Sequence, residues 1–136
     1  MNMDEDELIP RKTFEEFANY ADRHLSYLAM LDEQHNVVRI SHQRIMEWEE
    51  WWKVIENRRV GRDMVNGLLV STVFLCVDHG FGGSPKWFET MIFKGENLEE
   101  ALDYQWRYET WNQAREGHET VVELVRNEEL WKKLSP

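Results

Sequence analysis

An α+β fold is predicted: an antiparallel sheet of about four strands built around a central β-hairpin pair, packed by N-terminal, middle and C-terminal helices. Three observations predict it. Asn66-Gly67 joins two β-prone runs, and an Asn-Gly pair supplies the positive φ angles that a two-residue hairpin turn requires. Residues 68–77 are apolar on both alternating faces, which suits a central strand covered on each side. Thr13 with Glu16 and Thr110 with Gln113 form two capping boxes, each opening a segment with apolar residues at helical spacing.

Residues 1–12 read as an acidic flexible leader and residues 13–136 as a single α+β domain. The first helix begins near Phe14, and Phe14, Phe17, Ala18, Ala21, Leu25 and Leu28 form one apolar stripe that must pack on the sheet or on a second subunit. The polar cluster at residues 32–36 interrupts it, and residues 37–40 suit an edge strand. Ser41 can cap a second helix whose Ile45, Trp48, Trp52 and Ile55 share a face; Trp51 falls beside that stripe, at a core margin. The hairpin arms are residues 58–65 and 68–77. The glycine-rich loop at residues 80–86 leads into a strand at 87–93 that pairs antiparallel with the second arm, and a further strand follows at 104–108. The last long helix starts at Trp111 and turns Ala114, His118, Val121, Val122 and Val125 inward; a short polar tail with Leu130 and Trp131 follows Asn127.

Sixteen Lys and Arg against 26 Asp and Glu leave a net charge of −10, which disfavours direct nucleic-acid binding and favours a protein partner with a basic surface. The longest charge-free stretch, residues 64–77, is too short to cross a bilayer, so no membrane partner is expected. The acidic start lacks the features of an export signal, and the single cysteine, Cys76, reads as a buried thiol; both point to the cytoplasm.

Five blocks carry a resemblance: Val70-Ser71-Thr72-Val73-Phe74-Leu75, then Asp78-His79-Gly80-Phe81-Gly82, then Phe88-Glu89-Thr90-Met91-Ile92-Phe93, then Arg107-Tyr108, then Ala114 with Gly117-His118. In order and spacing they resemble a family of small proteins encoded by bacteriophages and prophages, over about residues 36–125. Arg58-Arg59-Val60 resembles the segment that precedes the first block, whereas Cys76 stands where the family pattern has a glycine and Ser84-Pro85-Lys86 replaces a more proline-rich loop. The resemblance implies a compact fold and a phage origin, hence the cytoplasm of an infected bacterial host, and no particular reaction.

With Val77 opposite Glu89, His79 and Glu89 would meet near the loop, a pair usable for acid/base work or for holding an anion, with Asp78 on the other face. His118 should point at the sheet, either as a satisfied core histidine or with Arg107, Tyr108 and Glu89 around a polar pocket. Asp78, His79, Glu89, Arg107, Tyr108 and His118 are thus the candidate ligand-binding residues. The histidines at 24, 35, 42, 79 and 118 show no metal-binding spacing, the glycine loop lacks a following Gly-Lys-Ser/Thr, and no nucleophile has a motif around it; no metal, cofactor or catalytic set is expected. The leading expectation is a phage-encoded interaction protein that antagonises a host defence factor by binding, in the manner of an anti-CRISPR inhibitor, through acidic-surface mimicry with Glu47, Glu49, Glu50 and Trp51 as partner contacts. The alternative is a sponge or degrading enzyme for a nucleotide signal; a structural accessory forming a homodimer through the first helix ranks third.

Overall fold

The computed structural model describes residues 28–80, 82–95 and 100–134. The first amphipathic segment and its capping box at Thr13 lie outside them, except Leu28, which forms an antiparallel bridge with Val77 instead of extending a helical stripe. A short hairpin follows, β1 (Ala29–Leu31) with β2 (Val37–Arg39), so the strand expected at residues 37–40 belongs to a separate two-stranded sheet. Asp32 shapes its turn: Oδ1 accepts from the backbone amides of Gln34 (2.9 Å) and Asn36 (2.8 Å). Those bonds, Asn36 first, hold the Asp32 carboxyl below its ordinary range.

After a 3-10 turn (His42–Arg44), α1 (Ile45–Trp52) and the single turn α2 (Ile55–Arg58) replace the one helix expected from the apolar spacing. Val54 is extended, and side chains take over the freed carbonyls: Asn57 Nδ2 donates to Trp51 O (2.9 Å) and Arg58 Nε to Trp52 O (2.8 Å). Trp51 packs edge-on against Phe74 at 5.7 Å, while Trp52, expected on the inward stripe, is 37% exposed. Trp48 fixes α1 to the hairpin by donating Nε1–H to Ala29 O (2.9 Å).

The main sheet is an antiparallel meander in the order β3 (Arg59–Val65), β4 (Leu68–Phe74), β5 (Phe88–Lys94), β6 (Ala101–Tyr108). The β3–β4 turn is Asn66-Gly67, with φ 51° and 81°, and the Asn66 side-chain amide donates to Val125 O (3.2 Å) and Arg126 O (3.3 Å). α3 (Trp111–Arg126) begins at the capping box of Thr110 and Gln113 and lies across one face of the sheet. The expected polar tail is instead a helix, α4 (Glu128–Leu134), because Trp131 finds Tyr104 to pack on, 5.5 Å away.

Two apolar clusters lie under α3. One gathers Phe74, Phe88, Trp87, Ala114 and Cys76 with Ala29 and Leu31; the other gathers Val65, Val70, Ile92, Val121, Val122 and Val125. A third, of Leu28, Met30 and Ile40, sits beneath the small hairpin. The molecule is therefore α+β, with helices packed on an antiparallel sheet.

β4 ends at Phe74, short of the expected Val77, because Cys76 sits at φ 68°, a left-handed conformation that breaks an extended run. The chain then peels away, and Cys76 O accepts from the Ala29 amide at 2.9 Å. Burial pushes the Cys76 thiol up from 9.0 to about 11, partly opposed by Arg58. The unfolded chain sheds this proton near pH 9 while the folded chain keeps it to about pH 11, so the folded state binds more protons and stability falls as pH rises across that window. Urea midpoints of the parent protein should therefore fall more steeply than those of Cys76→Ala over that range; parallel curves would exclude the buried thiol as the cause.

Candidate functional site

The six candidate ligand-binding residues separate into three groups. Asp78 locks the loop: its Oδ1 accepts from the amides of Gly80 (2.7 Å) and Lys86 (2.9 Å). His79 belongs to the same loop, with its amide donating to Lys86 O (2.9 Å) and Nδ1 lying 3.1 Å from Val77 O. The register of β4 on β5 puts Val73, not Val77, opposite Glu89; the expected His79–Glu89 juxtaposition is therefore replaced by a pairing of Glu89 with Arg107. Arg107 Nε donates to Glu89 Oε2 (2.9 Å) and its guanidinium also reaches Gln105 Oε1 (3.2 Å). Strand alternation places Glu89 and Arg107 on the sheet face away from α3, and Tyr108 and His118 on the face beneath it. The sheet divides the pocket expected around Glu89, Arg107, Tyr108 and His118.

Under α3 the polar groups do converge. His118 Nε2 lies 2.6 Å from Asp63 Oδ2, and its Nδ1 lies 2.7 Å from Thr72 Oγ1. Thr72 Oγ1 is 2.5 Å from Thr90 Oγ1, and Tyr108 donates its hydroxyl to Thr90 Oγ1 at 3.1 Å. Five side chains from four strands and the helix thus form one hydrogen-bonded line between the two apolar clusters. Thr72 and Thr90 are fully buried, His118 is 6% exposed, and among the described residues no buried side-chain N or O lacks a partner.

Two glycines clear the space for it. A Cβ at Gly61 would lie 2.6 Å from the His118 ring, and one at Gly117 would lie 2.3 Å from the Tyr108 ring. The helix and the edge strand can approach the sheet only because these positions carry no side chain. Burial raises the Tyr108 phenol above its ordinary value, with the Thr90 hydrogen bond acting against it, so the hydroxyl stays a proton donor.

Protein-family models, curated proteins and solved structures offer no match to this chain. Thr72, His118 and Asp63 stand in the order of a nucleophile, a base and an orienting acid, but a fully buried Thr72 leaves no room for a substrate atom. The line fastens α3 to the sheet. Asp63, Thr72 and Thr90 were not singled out from sequence, although the register implied by Asn66-Gly67 sets Gly61 opposite Thr72 and Asp63 opposite Val70. A hydroxyl at Thr72 within an apolar strand, facing an inward histidine, was the available signal. Among the described residues no cluster of three or more His, Cys, Asp or Glu side chains is arranged to hold a metal ion, and no helix is long and apolar enough to cross a membrane.

Of the candidate partner contacts, Glu47, Glu49 and Glu50 are exposed on α1, whereas Trp51 is an anchor in the core margin. Arg44 binds Glu47 at 2.9 Å and Lys53 lies 3.8 Å from Glu50, so the acidic face is partly neutralised by its own helix. Beside it stand exposed apolar side chains: Met46 at 78%, Val54 at 46%, and Trp52, whose ring lies under the Arg58 guanidinium at 5.8 Å. A separate cleft of about 360 Å³ opens between the β1–β2 turn and the start of α3. His35 stacks on Trp111 along its wall, with ring centroids 3.7 Å apart.

Proposed function

We propose that the protein works by binding, with the α1–α2 ridge as its contact surface, and that it is a phage-encoded antagonist of a host defence factor. The observation that carries the binding surface is α1 itself, which has no fully buried residue and shows Met46, together with Trp52, beside three exposed glutamates. An apolar centre with a charged rim is the usual anatomy of a protein interface. The acidic rim suits a basic partner, and the partial pairing of Glu47 and Glu50 shifts the weight from charge toward Met46 and Trp52. The phage origin and the defence target rest on the resemblance of the five sequence blocks.

Native mass spectrometry after incubation in host lysate, followed by titration with the purified partner, tests this reading. Met46→Ala with Trp52→Ala should weaken the complex by about 30-fold or more, the scale of an interface hot spot. Lysine at 47, 49 and 50 should cost about tenfold and flatten the salt dependence. Unchanged affinity in both variants overturns the ridge as the contact surface. The alternative of a nucleotide-signal sponge or degrading enzyme draws on the cleft at His35 and Trp111 in place of the divided set, and a bound mass of a few hundred daltons in the same spectrum would favour it.

A further inference from the structure

We infer that Asp63, His118, Thr72, Thr90 and Tyr108 form a reversible proton relay in which a proton taken up at His118 is read out at Tyr108, on the edge strand β6 of the same sheet face. The donor and acceptor capacities of the five groups allow one arrangement when His118 is neutral. A carboxylate only accepts, so Nε2 carries the ring proton and donates it to Asp63 Oδ2 at 2.6 Å. Nδ1 is then an acceptor, and Thr72 must donate to it at 2.7 Å. The Thr72 oxygen in turn accepts from Thr90 at 2.5 Å, and the Thr90 oxygen accepts from the Tyr108 hydroxyl at 3.1 Å. Each hydroxyl points the same way, toward His118.

A second proton on His118 reverses every step. Nδ1–H donates to Thr72, Thr72 donates to Thr90, Thr90 donates to the Tyr108 oxygen, and the Tyr108 hydroxyl gives up its bond to Thr90. One proton is gained, on Nδ1, and three hydroxyl protons change direction; no other bond is made or broken. The two threonines and the imidazole are satisfied in both arrangements, because a hydroxyl both donates and accepts, and the half-buried Tyr108 is the member whose hydroxyl proton changes its surroundings. The charged and titratable groups around the imidazole fit this role. β3 contributes Asp63, β6 contributes Tyr108, and β4 and β5 face it with the uncharged Thr72 and Thr90. On α3, Arg115 is one turn away and exposed, and the Glu89–Arg107 pair lies across the sheet. The relay is independent of the α1–α2 contact surface.

The test is NMR of the full chain with labelled histidine and tyrosine. The neutral His118 ring should carry its proton on Nε2, and the Tyr108 Cζ shift should follow the same midpoint as the His118 ring signals. In Thr72→Val, which keeps shape and removes the hydroxyl, His118 should still titrate while the Tyr108 response falls at least severalfold; Thr72→Ser should restore it. A Tyr108 signal that stays flat in the parent protein overturns the relay. So does a response undiminished in Thr72→Val, which would mark a through-space effect of the imidazolium charge. The tautomer is read on the unaltered protein, so a neutral ring protonated on Nδ1 overturns the relay whether or not Thr72→Val folds.

Discussion

His118→Ala should destabilise the protein by about 3 kcal/mol, the largest loss expected from a single substitution here, since it combines a buried cavity with stranded hydrogen-bonding groups. Thr72 loses the acceptor of its hydroxyl, and the void opens between the two apolar clusters, where Phe74 and Val70 are fully buried and have little freedom to close it. Asp63→Asn is the informative contrast. Its side chain is a little over half exposed, and an asparagine oxygen can still accept from Nε2, so the expected cost is under about 1 kcal/mol. Urea titrations with unchanged slope read both values. A loss below about 1 kcal/mol for His118→Ala would mean that the hydrogen-bonded line does not fasten the helix.

Gly117→Ala should destabilise by about 2 kcal/mol, although alanine is favoured over glycine inside a helix by about 1 kcal/mol. The sign is decided by the Tyr108 ring, whose atoms would stand 2.3 Å from the new Cβ. The ring cannot swing away cheaply, because its hydroxyl is tied to Thr90 and its body packs against the Phe74 and Phe88 cluster. Tyr108→Ala should therefore rescue part of the loss, and the double variant should be markedly less destabilised than the sum of the two singles. A stabilising Gly117→Ala would show that the helix stands farther from β6 than described.

The sheet and the last helix were legible because their signals are local. Asn66-Gly67 sets the hairpin register, and Thr110 with Gln113 fixes the first turn of α3, each through bonds between near neighbours. What was not legible depended on single residues overriding a pattern. Cys76 at a left-handed φ stops β4 before Val77, and the register that sets Val73 opposite Glu89 removes the expected meeting of His79 and Glu89. Extended Val54 splits one helix into two, and Trp52, expected on the inward stripe, is exposed while Trp51 keeps its place at the core margin. His118 was correctly read as facing the sheet, but its partners come from β3 and β4, whose relation to α3 no spacing in the sequence encodes.

The order of strands in the meander has a kinetic consequence. Each strand pairs with its neighbour in the chain, so the sheet is built from local closures, the longest being the β4–β5 connection over residues 75–87. The bonds from Asn66 to Val125 and Arg126 instead join residues 59 and 60 positions apart, tying the first turn of the sheet to the final carbonyls of α3. Seating the helix is thus the long-range closure, and Asn66 is the latch that fastens the end of α3 to the first turn of the main sheet.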